Sequence, residues 1–191
     1  MMFPPELFRA SLEKCASVLQ QHRIRFHLTG GLTSVAYGEA RLTLDVDIVV
    51  DPAQLLAALE DTLEEFRSQG FVFDLPAVKQ AIAGQGMFQL FDKREALKLD
   101  VYPRELIPGE LNRSVLVEVF SGLTLPIVSR VDSAGAKLIW INKGSHKSRR
   151  DLKQIFRISS DEERLGINRL AEQFQLSELL EVVLNEPDEI Q

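Results

Sequence analysis

Residues 27–51 read HLTGGLTSVAYGEARLTLDVDIVVD, and the order of signals in this stretch decides the fold. Upstream of it and at its start, Ile24, Phe26 and Leu28 alternate with Arg25 and His27, which predicts a short strand with His27 turned outward. Gly30-Gly31 breaks that strand, and a short helix through Tyr37 is expected next. Asp45 to Val50 reads as a second strand, rich in β-branched residues. Residues two apart on a strand share a face. Asp45 and Asp47 therefore point the same way, roughly 6–7 Å apart at a rise of about 3.3 Å per residue, while Val46, Ile48 and Val50 point into a core. Aspartate is disfavoured in strands, and two on one face repel. Both costs fall away if a divalent cation sits between them. Missing side chains at Gly30 and Gly31 let backbone N–H groups approach a phosphate at the start of the helix.

Each signal alone has a bland reading: a D-x-D pair at a solvated strand end, or a Gly-Gly turn. The combination is much harder to obtain by chance, and a third carboxylate extends it. Asp100 lies among Leu97, Leu99 and Val101 in a strand-like run. On a strand beside the first pair it would complete a cradle for two metal ions, the arrangement that stabilises attacking and leaving oxygens in phosphoryl transfer.

Composition agrees with a hard-cation site and excludes other classes. The chain has 191 residues, 45% hydrophobic and 26% charged, values of an ordinary globular protein with a sizeable core. Its 22 Lys+Arg against 28 Asp+Glu give a net charge of −6, which argues against broad nonspecific coating of nucleic acid. The single cysteine, Cys15, excludes an intramolecular disulfide and a Cys-cluster zinc site, and three histidines argue against a His-built one. Oxygen ligands, and so Mg²⁺, remain. No apolar run approaches the roughly 18 residues that span a bilayer, and the N-terminus lacks a signal-peptide layout. The expectation is a soluble, cytoplasmic protein without a membrane partner.

Around the central stretch, the pattern predicts a first helix opened by Pro4 and Pro5 and carrying Leu7, Phe8, Leu12, Cys15, Val18 and Leu19 on one face. A helix capped by Asp51 with Pro52 at its first position is expected to run to about Gln69. Strands are expected at 71–73, 87–91 and 96–102, and a hairpin at 115–120 and 123–128 around Ser121-Gly122. After Ser129 the chain reads as helix: one capped by Asp132, one from about His146 to Ile158, one capped by Ser160 or Asp161, and one by Ser177. The expected organisation is an α/β (α+β) part over 1–128 with helices flanking a mixed sheet, then a helical part over 129–191 packed on it.

Gly30-Gly31, a short helix and the Asp45-Val46-Asp47 strand resemble the signature of the DNA polymerase β superfamily of nucleotidyltransferases. The longer run GGLTSVAYGEARLTLDVDIVV is similar to that of the small bacterial abortive-infection (AbiEii-type) toxin nucleotidyltransferases. Gly30, Gly31, Arg41, Thr43, Asp45 and Asp47 fit that pattern, and Asp100 in KLDVYP fits the third metal-binding carboxylate. Thr33 stands where many relatives have Ala or Ser. The resemblance implies a nucleotidyltransferase fold and transfer of an NMP from an NTP to an acceptor hydroxyl, with Mg²⁺ (or Mn²⁺) held by Asp45, Asp47 and Asp100. It implies a nucleotide site built from Gly30, Gly31, Thr33 and Arg41. Relatives modify tRNA or other RNA ends, proteins or small molecules, and a cognate antitoxin partner is implied. A non-catalytic relative retained as a binding or toxin–antitoxin component, and an unrelated metal-binding α/β domain, are the alternatives.

The helical part adds two residues. AKLIWINKG…RRDLKQIF resembles the family segment in which a helix Lys and a later Arg-Asp pair line the nucleotide pocket, which adds Lys137 and Asp151 to the nucleotide site. Read bottom-up, Lys137 lies beside Ala134, Leu138 and Ile141, where its stem would pack and its ammonium snorkel. Asp151 falls near Leu152 and Ile155, and a carboxylate there needs a partner. His146, Arg150, Lys153 and Arg157 form a basic stripe, read as a solvated face or as a docking patch for an RNA or acidic protein. Phe71, Phe73, Phe88 and Phe91 read as strand core, as does Trp140 in its helix, leaving no aromatic set for stacking bases.

Overall fold

The computed structural model describes residues 5–37, 46–84 and 86–187. Asp45, Arg41 and Thr43 lie outside the described residues. The chain forms two compact units, one of Met1–Leu32 with Leu42–Val128 and one of Thr33–Arg41 with Ser129–Gln191.

The first unit opens with helix α1 (Pro5–Gln21), which buries Phe8, Leu12, Cys15, Val18 and Leu19 along one face. Strand β1 (Phe26–Thr29) leads into the short helix α2 (Gly30–Ala36), and β2 (Val46–Val50) follows. Asp51 caps α3 (Pro52–Ala57) by accepting hydrogen bonds from the Ala53 and Gln54 N–H groups, with Pro52 at the first position. The single helix expected to Gln69 is divided: α3 stops, Ala58 leaves helical geometry, and α4 (Leu59–Ser68) restarts. No residue at 55–59 forbids a continuous helix; on either side of the break Leu55, Leu63 and Phe66 are buried while Leu56 is exposed.

Then come β3 (Phe71–Val72), α5 (Leu75–Ile82), β4 (Phe88–Asp92), β5 (Leu97–Tyr102), a 3₁₀ turn over Glu110–Arg113, and the hairpin β6 (Val115–Phe120) and β7 (Leu123–Ile127). The sequence carries a start signal for α5: Asp74 caps it, accepting from the Ala77 N–H, and Pro76 sits in its first turn.

Among the described residues these strands make one mixed sheet in the order β3-β4-β5-β2-β1-β7-β6. β2 is antiparallel to β1 and parallel to β5, and β5 is antiparallel to β4. β2 is thus central and covered on both sides. Val46, Ile48 and Val50 are buried as expected, and Val49 on the opposite face is buried too. The same centrality overturns the reading of His27. It is fully buried, because the residues around the 3₁₀ turn cover its face of β1, and its Nδ1 lies 2.8 Å from Ser114 Oγ.

The second unit contains α6 (Arg130–Asn142), α7 (Lys147–Ile158), α8 (Asp161–Gln173) and α9 (Ser177–Asn185). Ser129, not Asp132, caps α6: its hydroxyl accepts from the Asp132 N–H and donates to the Asp132 carboxylate at 2.5 Å. Ser160 and Glu163 form a reciprocal capping box at the start of α8. Leu176 occupies the cap position of α9, and Ser177 is its first helical residue. Trp140 is 42% exposed beneath the Lys143 ammonium rather than in the core.

Candidate functional site

The register of the sheet brings two of the sequence-predicted carboxylates, Asp47 and Asp100, together. Thr29 pairs with Asp47 across β1 and β2, Asp47 with Asp100 across β2 and β5, and Asp100 with Gln89 across β5 and β4. Four polar residues therefore form one transverse row on one face of four neighbouring strands about 4.8 Å apart. The opposite face of β2 and β5 is closed by Val46, Ile48, Leu99 and Val101, which fixes the strands and so the direction of both carboxylates.

Asp100 is 7% exposed; Gln89 Nε2 donates to its Oδ1 at 3.1 Å and Lys98 Nζ lies 3.3 Å from its Oδ2. Tyr102, two residues along β5 on the same face, donates its hydroxyl to Asp47 Oδ1 at 3.3 Å. Burial pushes the Tyr102 phenol well above its ordinary value, and the negative charges of Asp47 and Asp100 add to the shift. It stays a protonated donor at all ordinary pH.

Gly30 opens α2 at φ +71°, and a Cβ there would lie 1.9 Å from Asp47 Oδ2. No side chain fits: the backbone is pressed against the carboxylate, and its left-handed conformation already favours glycine. Gly31 follows in the same turn. Thr33 is buried, and its carbonyl accepts the Tyr37 N–H within the second unit.

Asp47 and Asp100 present hard oxygen donors side by side, the donor chemistry that suits Mg²⁺ or Mn²⁺. Among the described residues no group of three or more His, Cys, Asp or Glu side chains forms a metal site. The donor set present fits a divalent cation, which would relieve the repulsion between the two carboxylates.

In the second unit, Lys137 on α6 donates to Asp151 on α7 at 2.6 Å, and the two are 8% and 1% exposed. The ammonium thus does not snorkel to solvent; it meets the buried carboxylate, and each charge compensates the other. The basic stripe divides. Arg150 and Arg157 are exposed, but Lys153 is buried and donates to the Glu186 carbonyl at 2.5 Å, while Arg149 pairs with the Glu186 carboxylate. The solvated-face reading therefore fails at Lys153, because α9 runs to a carbonyl that the lysine caps.

Lys98, Gln89 and Tyr102 are missing from the sequence reading. Tyr102 carried a signal, being two residues beyond Asp100 on a strand; Gln89 did not, because strand pairing is not written in local sequence.

No curated protein sequence matches the chain. Two solved structures of similar fold are the antibiotic-resistance factor ANT(2'')-Ia and an antigenic nucleotidyltransferase-like protein from Paracoccidioides brasiliensis. The first has a TM-score of 0.58 at 12% identity, covering 92% of this chain and 97% of that one. The second has a TM-score of 0.52 at 16% identity, covering 90% and 92%. They establish a nucleotidyltransferase fold. The sequence profile of the nucleotidyl transferase AbiEii toxin family, of type IV toxin–antitoxin systems, matches residues 15–177. With that match spanning most of its length, the chain belongs to the AbiEii family and is a nucleotidyltransferase.

Proposed function

We propose that this enzyme transfers an NMP from an NTP to an acceptor hydroxyl in a reaction that depends on Mg²⁺ or Mn²⁺, and that it acts as a toxin with a cognate antitoxin. The acceptor oxygen bonds to the α-phosphorus, the bond from that phosphorus to the bridging oxygen breaks, pyrophosphate leaves, and the hydroxyl proton passes to Asp100. Asp45, Asp47 and Asp100 would hold the metal, which when bound neutralises charge on the reacting phosphates. Gly30 and Gly31 let backbone reach the β- and γ-phosphates. Arg41 supplies positive charge to the nucleotide, with Thr33 nearby in sequence, an assignment that rests on the family resemblance; the Lys137 ammonium, which the same resemblance assigns to the nucleotide, is instead taken up by Asp151. The acceptor is a cellular RNA end, such as that of tRNA, or a protein.

The observation that carries the reading is the Gly30–Asp47–Asp100 arrangement. Two carboxylates stand in register on adjacent parallel strands, and one is approached by bare backbone so closely that only glycine fits. An unpaired structural carboxylate would need neither the second carboxylate nor the glycine.

Thermal unfolding with saturating Mg²⁺ and NTP tests it without knowledge of the acceptor. A ligand of the native state at 100 times its Kd stabilises by about 2.7 kcal/mol. The wild type should show a shift of that order and Asp47→Asn should not. A wild-type melting temperature indifferent to Mg²⁺ and NTP would remove the proposal.

A further inference from the structure

The row of Asp47 and Asp100 divides its face of the sheet into two ends, and the ends carry different groups. β1 ends at Thr29, opposite Asp47, and the chain turns there into Gly30 and Gly31. β2 is antiparallel to β1 and parallel to β5, so residues that precede Asp100 on β5 lie toward the glycine turn and residues that follow it lie away. Lys98 is on the glycine end, on the same face as Asp100 and about 6.6 Å before it along the strand. Only β2 stands between β1 and β5, so the turn and Lys98 are two strand spacings apart, about 10 Å. Tyr102 is on the other end, where the exposed Arg104 is close enough for its charge to act on the phenol.

A nucleoside triphosphate whose phosphates meet the Gly30 and Gly31 backbone brings several negative charges beside the Asp47 and Asp100 carboxylates. Those charges need cations besides a metal. Lys137 is held by Asp151 at 2.6 Å, and Arg25 pairs with Asp51 on the far end of β1. Lys98 differs from both: its side chain is 39% exposed, and a flexible four-carbon stem lets it re-aim its ammonium.

Its present contact sets up an exchange. Gln89 donates to Asp100 Oδ1 and the Lys98 ammonium stands 3.3 Å from Oδ2, so the protein engages both oxygens. A divalent cation shared with Asp47 needs one of them. An ammonium and a divalent cation repel each other at one carboxylate oxygen, whereas neutral Gln89 meets no such repulsion. Lys98 is therefore the partner that leaves.

We propose that Lys98 is a phosphate-binding residue that exchanges partners. It leaves Asp100 Oδ2 when metal and nucleotide bind and takes the β- and γ-phosphates at the glycine turn, which frees the carboxylate for its part in the reaction. This rests on the nucleotidyl-transfer reading above and adds the protein cation that recognises the phosphate tail.

Two titrations of the full chain separate the two contacts. Mn²⁺ alone, followed by the paramagnetic resonance of the free ion, reads the contact with Asp100. Removing a competing, partly exposed ion pair should tighten Mn²⁺ binding about 1.4- to 5-fold in Lys98→Met. Inorganic pyrophosphate with saturating Mg²⁺, followed by calorimetry, reads the phosphate contact. Loss of a hydrogen bond between charged groups predicts about 10- to 150-fold weaker binding by Lys98→Met, while Lys98→Arg should stay within about fivefold of wild type. Arg104→Met removes the same charge from the other end of the row and should leave both affinities within about twofold, because exposed charges beyond a Debye length are screened. Opposite signs in the two titrations mark the exchange. A lysine that only buttresses Asp100 predicts weaker Mn²⁺ binding in Lys98→Met, and a solvated lysine predicts no difference from Arg104→Met in either titration. Each of those results overturns the proposal, as does pyrophosphate that fails to bind a wild type stabilised by Mg²⁺ and NTP; in all three cases nucleotidyl transfer stands. A wild type that Mg²⁺ and NTP do not stabilise removes both.

Discussion

Asp100 in the sheet and Asp151 in the helical unit are both buried, yet they are compensated in opposite ways. Asp151 meets the Lys137 ammonium at 2.6 Å, with both side chains nearly closed to water. Asp100 has looser contacts of 3.1 and 3.3 Å from Gln89 and Lys98, both at least partly exposed, and stands in register beside the carboxylate of Asp47. The helical pair balances its own charge. The sheet pair is two carboxylates side by side, with room in its chemistry for a further cation. A carboxylate poised for a ligand is distinguished by its neighbour of like charge, not by burial.

The comparison predicts its largest stability effect in the helical unit. Breaking a buried ion pair by removing one partner costs about 3–5 kcal/mol, whereas replacing both with apolar residues of similar volume is close to neutral. Asp151→Asn or Lys137→Met should lower stability by that amount in urea denaturation, and Lys137→Met with Asp151→Leu should recover most of it. If the double variant is as unstable as the singles, the pair is not self-compensating.

Asp92 sharpens the point within the sheet unit. It is fully buried at the end of β4, accepts from Ser11 Oγ at 2.7 Å and pairs with Lys14. Burial pushes its carboxyl up, but Lys14, Ser11 and the Arg94 N–H outweigh this and hold it below the ordinary value of 3.8. A depressed carboxyl contributes stability that is present above 3.8 and lost as pH falls through the lower folded value. Asp92→Asn should therefore cost about 1.5–3 kcal/mol near neutrality, as expected for hydrogen bonds to a charged group. Chemical denaturation across pH should show the gap to wild type closing only below about pH 4. A gap unchanged at pH 2–3 would contradict the pairing.

Gly30→Ala should cost about 1–2 kcal/mol through its left-handed conformation and abolish stabilisation by Mg²⁺ and NTP, because the added methyl would displace the Asp47 carboxylate. A variant that keeps that stabilisation would separate the glycine from the site. The smallest effect is expected at Arg150. It is exposed, so Arg150→Glu should change stability by less than about 0.5 kcal/mol. Lys153→Glu, which breaks a buried contact to the Glu186 carbonyl, should cost measurably more in the same melts.

What was legible in sequence follows from range. Alternation and residue type located the strand of Asp47, the strand of Asp100, the hairpin and the Gly30-Gly31 turn, because each is written within a few residues. Alternation also gave the facing of Asp47 against Val46 and Ile48. It could not tell which faces are covered by distant segments. Alternation turns His27 outward, whereas residues 110–114 bury it, and it places Phe91 in the core, whereas its face of β4 is exposed. The solvated stripe failed at Lys153 for the same reason: its partner, Glu186, lies 33 residues away. Asp45, the other carboxylate of the D-x-D motif, lies outside the described residues.

The most direct measurement follows two labels from one nucleotide. Wild-type enzyme, Asp47→Asn and Asp100→Asn are incubated with Mg²⁺, a cell extract and NTP labelled at either the α- or the γ-phosphate. Nucleotidyl transfer at the paired carboxylates predicts α-label on a macromolecular acceptor and γ-label in pyrophosphate with the wild type. Several kcal/mol of charge stabilisation at the reacting phosphates makes the predicted loss in either variant on the order of a thousandfold. Appearance of γ-label on the acceptor, or α-label transfer by the folded variants at the wild-type rate, would contradict it.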